Sequence, residues 1–145
     1  MLHCDTRNME SEMTIPENMS AVEHDAWAGL LEAQRLAHKT ATDAGWYVDP
    51  KTGEPVKRNF GEVVALMHSE LSEALETDRK NLMDDKLPHG GGVEVEFADC
   101  IIRILDTAAA LGLDVAGAVI EKNRFNRERA DHKLENRISA NGKKY

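Results

Sequence analysis

Residues 93–111 read VEVEFADCIIRILDTAAAL, and this stretch decides the fold. It is apolar on nearly all sides of a helix, which predicts a helix at the centre of a helical assembly. Gly112 supplies a C-terminal stop, and Asp114 is placed to cap a further helix running to about residue 129. Cys100, within the apolar run, reads as a small buried thiol.

Working outward, the apolar positions Trp27, Leu30, Leu31, Ala37 and Ala41 follow helical spacing from Ala21, interrupted by the polar Gln34. Gly45 ends that helix. GWYVDPKTGEPVKRN, residues 45–59, is a loop whose Trp46 and Tyr47 suggest packing. A second long helix begins near Phe60, capped by Asn59 with Glu62 three residues on, and runs to about Lys80. DDKLPHGGG, residues 84–92, breaks the pattern. Residues 1–20 read as a loose polar arm, 21–133 as one helical domain, and 134–145 as a polar tail. No repeat and no alternating strand pattern occurs. The expectation is an all-α fold of four helices around one core.

With 145 residues the chain has the length of one domain and can form a core. Lys plus Arg is 18 and Asp plus Glu is 26, a formal charge of −8. That balance argues against a binder of polymeric nucleic acid, which carries a basic patch. Cys4 and Cys100 form neither a metal-binding pair nor a disulfide framework. MLHCDTRNMESEM, at the start, lacks the apolar segment of a signal peptide. No run approaches a membrane span. The expected location is the cytoplasm.

Within these helices the acids stand out. Glu70 and Glu73 lie three apart in HSELSEALETDR, residues 68–79, beside Met67, Leu71, Ala74 and Leu75. Glu96 and Asp99 repeat that spacing in the most apolar helix. Residues three apart share a helix face, so each pair points two carboxylates in one direction. Burying unpaired carboxylates is costly, and two such pairs repel unless a cation lies between them. The acids are either solvated or paired with Arg79, Arg103 or Lys122, or they bind metal. All-oxygen donors suit Mg²⁺ or Mn²⁺. A di-iron site would want Glu-x-x-His, and Glu73 and Asp99 stand where those histidines would be.

The fourth helix carries a stripe of Val115, Val119, Lys122, Asn126, Arg129 and Lys133, at spacings of three and four. A face turning from valine to cations would point donors inward, as a polyphosphate held by metals requires. The plainer reading is basic residues near a helix C-terminus.

Taken together, ELSE (Glu70, Glu73), EFAD (Glu96, Asp99) and KNRFNRER (Lys122, Asn126, Arg129), with 22 residues between Glu73 and Glu96, resemble the MazG-like all-α nucleoside triphosphate pyrophosphohydrolases. The likeness runs from about Gly45 to Lys133. It is greatest for short bacterial and phage members, in ALMHSELSEALETDR and EVEFADCIIRILD. Many relatives have a further glutamate directly before the first motif glutamate; Ser69 stands there here. The resemblance implies a four-helix bundle assembled as a dimer or dimer of dimers. It also implies cleavage of a nucleoside triphosphate between the α and β phosphates. Glu70, Glu73, Glu96 and Asp99 would hold Mg²⁺ or Mn²⁺. Lys122, Asn126 and Arg129, with Arg79 and Lys133, would steady the phosphates. Trp46 would stack a base, a purine such as that of (d)GTP being expected, or anchor its loop. His68 and Asn59 are expected in core or capping roles. Glu76 reads as a surface residue. The alternatives are a hydrolase of a diphosphate or modified nucleotide, and a non-catalytic helical module binding nucleotide or a partner protein.

Overall fold

The computed structural model describes residues 15–87 and 89–138. Helix accounts for 69% of it and no strand occurs among the described residues, so the class is all-α. Four long helices follow in order: α1 (Ala21–Asp43), α2 (Phe60–Lys80), α3 (Gly92–Leu111) and α4 (Val115–Glu128). A single 3₁₀ turn (Ala130–His132) and the short α5 (Leu134–Arg137) end the described chain.

The helix ends follow from local chemistry. Asn59 Oδ1 accepts from the Glu62 amide at 3.2 Å, which caps α2. Asn81 ends it in the left-handed conformation, a role asparagine fills after glycine. Gly112 ends α3 at φ 65° and donates its amide to the carbonyls of Ala108 and Ala109. Asp114 Oδ1 accepts from the Gly117 amide at 2.7 Å and starts α4. At α1, Ser20 and Glu23 form a reciprocal capping box. The Ser20 amide donates to Glu23 Oε2 at 2.9 Å, and the Glu23 amide to Ser20 Oγ at 3.3 Å.

The described residues divide into two compact units, taken one at a time. The first is Glu32–Leu113, built on α2 and α3 with the second half of α1. Gly92 permits the close approach of α3 to α2. A Cβ there would overlap Thr77 Cγ2 and come within 2.9 Å of the Leu82 carbonyl oxygen. Val63, Ala74, Cys100, Leu105 and Ala108 are its buried apolar residues on α2 and α3. Cys100 Sγ lies 3.6 Å from the Met67 carbonyl, the buried thiol expected; Cys4 lies outside the described residues. Gln34, which interrupts the α1 stripe in sequence, is fully buried and donates to the Leu113 carbonyl at 3.3 Å.

The expectation that α3 is central to the assembly meets a helix that the single chain covers only in part. Its buried side is Gly92, Cys100 and residues 105–108, whereas Phe97, Ile101, Ile102 and Ile104 are exposed. Apolar composition on every side of a helix reports affinity for cover, not which side a single chain covers.

In the other unit, up to Leu31 and from Asp114 onward, Arg124 organises the packing. It donates to Glu23 at 3.1 Å and to the carbonyls of Glu17 (2.9 Å) and Asn18 (3.1 Å). The loose-arm expectation is corrected for residues 17–20, which these bonds fix; residues 1–14 lie outside the described residues. Arg124, Arg127 and the capping bonds from Ser20 hold the Glu23 carboxyl far below the usual range.

Candidate functional site

The α2–α3 pair brings the first acids together. Glu70, Glu96 and Asp99 each present a carboxylate oxygen, all within 4.8 Å of one another. Glu70 is buried, Glu96 half-buried and Asp99 exposed. Burial first, then the nearby charges of Glu73 and Glu70, a hydrogen bond with Glu70 and the charge of Asp99 raise the Glu96 pKa above the ordinary range. Glu73 is exposed and falls outside the close triad, but its charge is the largest Coulombic contribution at Glu96. The donor set fits a hard divalent cation: oxygens only, converging from two helices, with mutual repulsion a cation would relieve.

One neutralising partner already lies there. Arg103 Nε donates to Glu70 Oε1 at 2.7 Å, realising the ion pair expected as the alternative to metal. Arg79 does not fill that role among the described residues. Arg79 is exposed and lies 3.9 Å from Glu76, which is also paired with Lys80. Glu76 is thus the surface residue expected. Asn59 caps, as described, whereas His68 is exposed and not a core residue. Ser69 Oγ donates back to the Leu66 carbonyl at 2.8 Å, a local helix bond.

The α4 stripe is corrected. The buried positions are Ala116, Gly117 and Ile120, one residue round from Val115 and Val119; a Cβ at Gly117 would overlap the carboxylate of Asp114, which caps the helix. Lys122 and Lys133 are exposed. Lys122 Nζ sits 4.8 Å from the centre of the Phe125 ring, a cation–π contact. Arg129 is paired with Asp131 through two hydrogen bonds, at 2.9 and 2.6 Å, so its guanidinium is engaged. Asn126 Oδ1 is buried without a hydrogen-bond partner among the described residues.

Trp46 and Tyr47 differ in burial and bonding. Trp46 is 65% exposed, whereas Tyr47 anchors by donating its hydroxyl to Asp106 Oδ1 at 2.7 Å. His38 Nδ1 lies 2.8 Å from the same oxygen, and Arg58 Nη1 reaches Oδ2 at 3.4 Å. Asp106 is 4% exposed. Burial first, then the hydrogen bond and charge of Asp106, push the Tyr47 pKa up to about 12. The sequence reading did not single out this network. Its signal lies in the 3, 4, 3 spacing of Glu96, Asp99, Arg103 and Asp106, which puts all four on one face of α3.

Comparison of the chain with protein-family models, with characterised proteins and with solved structures finds no match. Among the described residues, no helix is long and apolar enough to cross a membrane.

Proposed function

We propose that this chain is a divalent-metal-dependent nucleoside triphosphate pyrophosphohydrolase that converts (d)NTP and water to (d)NMP and pyrophosphate. The carrying observation is the convergence of Glu70, Glu96 and Asp99 to within 4.8 Å from two different helices. With Glu73 they would hold Mg²⁺ or Mn²⁺. The metal, when bound, polarises the phosphorus and lowers the pKa of the attacking water. A carboxylate oxygen of this set left free of metal takes the proton from that water. Exposed Trp46 offers a face on which a base stacks, purine being the preferred class. Lys122, Asn126, Arg129, Lys133 and Arg79 enter as phosphate-steadying groups on the strength of the MazG-like resemblance alone. Lys122 and Lys133, exposed and without a carboxylate partner among the described contacts, fit that role better than Arg129.

The reading includes a four-helix bundle in a homodimer or dimer of dimers, in the cytoplasm. Phe97, Ile101 and Ile104 on α3, and Leu71 and Leu75 on α2, support self-association: each set lies on one face of its helix and is exposed in a single chain. Light scattering of the purified chain tests it, and a monomer at all concentrations would overturn it.

The Arg103–Glu70 pair favours a second reading, a non-catalytic module whose acids serve an internal ion pair. Pyrophosphate release from a panel of NTPs and dNTPs with Mg²⁺ or Mn²⁺ decides between them. The hydrolase reading expects turnover that falls at least about a hundredfold in Glu96→Gln or Asp99→Asn. No turnover of any nucleotide, or undiminished turnover in both variants, would overturn it. Release of phosphate from diphosphates instead would move the reading to a related substrate.

A further inference from the structure

The 44–59 segment connects α1 to α2, and its backbone closes on itself. The Val56 amide donates to the Tyr47 carbonyl at 2.9 Å and the Asp49 amide to the Glu54 carbonyl at 2.8 Å. Those bonds shape the segment without fixing it to the helices. At its junctions with the flanking helices the Trp46 amide donates to the Ala41 carbonyl at 3.1 Å and Asn59 caps α2; attachment to α3 comes from its two ends, which reach the same buried carboxylate. Tyr47 near the start donates to Asp106 Oδ1, and Arg58 near the end to Oδ2. His38 on α1 completes the cluster, its ring edge-on to Tyr47 with centres 5.0 Å apart. A carboxylate 4% exposed and bonded by three donors from two other elements has little freedom to move.

Two features connect this anchor to substrate recognition. Trp46, exposed, directly precedes Tyr47 in the chain. Asp106 also shares its α3 face with Glu96, Asp99 and Arg103. Seven residues separate it from Asp99, two turns or roughly 10.5 Å along the axis. That is the order of the distance between the phosphates and the base of a nucleotide.

We infer that Asp106 is a positioning residue. It clamps both ends of the 44–59 segment and so holds Trp46 where a nucleotide base stacks, at a spacing from the acids set by one rigid helix. This rests on the nucleotide hydrolase reading for its ligand, but the clamp has readouts of its own.

The test uses the full chain with Trp27→Phe, which leaves Trp46 the sole one of the two tryptophans. Tyr47→Phe and Arg58→Met each remove one donor and leave Asp106 with the others. Asp106→Asn is the direct variant, and the two donor variants carry the test should it fail to fold. Each donor variant is expected to lower the fluorescence anisotropy of Trp46. Each should also raise amide exchange across 45–59 by about tenfold, the loss of one net hydrogen bond, with α2 and α3 amides as protected as before. With Mg²⁺ and a nucleoside triphosphate, KM should rise about tenfold and kcat stay within about twofold. Arg58→Lys should recover part of the loss. Unchanged anisotropy and exchange in both donor variants would overturn the clamp, and so would a fall in kcat at constant KM. A wild-type chain that turns over no nucleotide defeats the hydrolase reading instead; anisotropy and exchange then still decide the clamp.

Discussion

Arg103→Met separates the two readings of the acid cluster. In the wild-type chain Arg103 Nε lies 2.7 Å from Glu70 Oε1, and the Glu70 side chain is 8% exposed. Removing one partner of a buried pair costs about 3–5 kcal/mol, because the other charge is left without compensation. The Arg103 side chain is 36% exposed, so water already screens part of the interaction and about 1.5–3 kcal/mol is expected. For a chain of this length that is a fall in Tm of roughly 5–10 °C, read by thermal melts and checked by urea unfolding. Divalent metal makes the result specific. The guanidinium and a bound Mn²⁺ compete for Glu70, and a single and a double positive charge about 4 Å apart repel by up to about 8 kcal/mol at an effective dielectric of 20. The variant should therefore bind Mn²⁺ more tightly than wild type. At about 100 times its Kd, Mn²⁺ should restore about 2.7 kcal/mol, close to the whole loss. If the variant is destabilised by less than about 0.5 kcal/mol, the ion pair is idle. If Mn²⁺ stabilises variant and wild type equally, Glu70 is not a metal ligand.

Glu96→Gln should stabilise the metal-free chain, with a pH signature. The folded-state proton affinity of Glu96 is raised above its value of 4.5 in the unfolded chain, so its stabilising effect is present below that pH and lost as pH rises through the raised value. The variant's advantage in urea unfolding should open across that window, and a constant difference from pH 4 to pH 8 would contradict the clustering of carboxylates. Gly92→Ala should cost about 1–3 kcal/mol through overlap with Thr77 Cγ2, read by the same unfolding experiment. Thr77→Ser in the same chain should recover only part of that loss, since the Leu82 carbonyl oxygen remains close; full recovery would mean that the backbone contact does not matter.

The helix boundaries were legible because local rules govern them. Asn59, Gly112 and Asp114 stand at or beside helix ends and act there through hydrogen bonds to nearby backbone groups, whereas the Asn81 cap of α2 was not read. Burial was less legible. The α4 stripe counted from Val115 and Val119 is offset by one residue from the positions actually buried, Ala116, Gly117 and Ile120. Periodicity finds a face but does not fix its rotation when small residues compete with larger ones. The same limit explains α3, whose Phe97, Ile101 and Ile104 look like core in sequence and are exposed in the single chain.

For the site, spacing gave the right helix faces and Arg103 stood among the expected partners of the acids, but the partners of Asp106 went unread. Glu70, Glu96 and Asp99 converge as two three-residue spacings on adjacent helices require, whereas Glu73 points its charge at Glu96 from outside the close group. No local rule pairs Glu70 with Arg103 or Asp106 with Tyr47, His38 and Arg58, since those bonds span 33 to 68 residues of chain. A polar residue inside an apolar helix still signals that such a partner exists, because a buried charge without one is too costly. Applied evenly along α3, that rule would have flagged Asp106 with Glu96 and Asp99. The acids on that helix then fall into two groups on one face. One group is short of positive charge and suited to a cation; the other is already supplied with donors and suited to holding a loop.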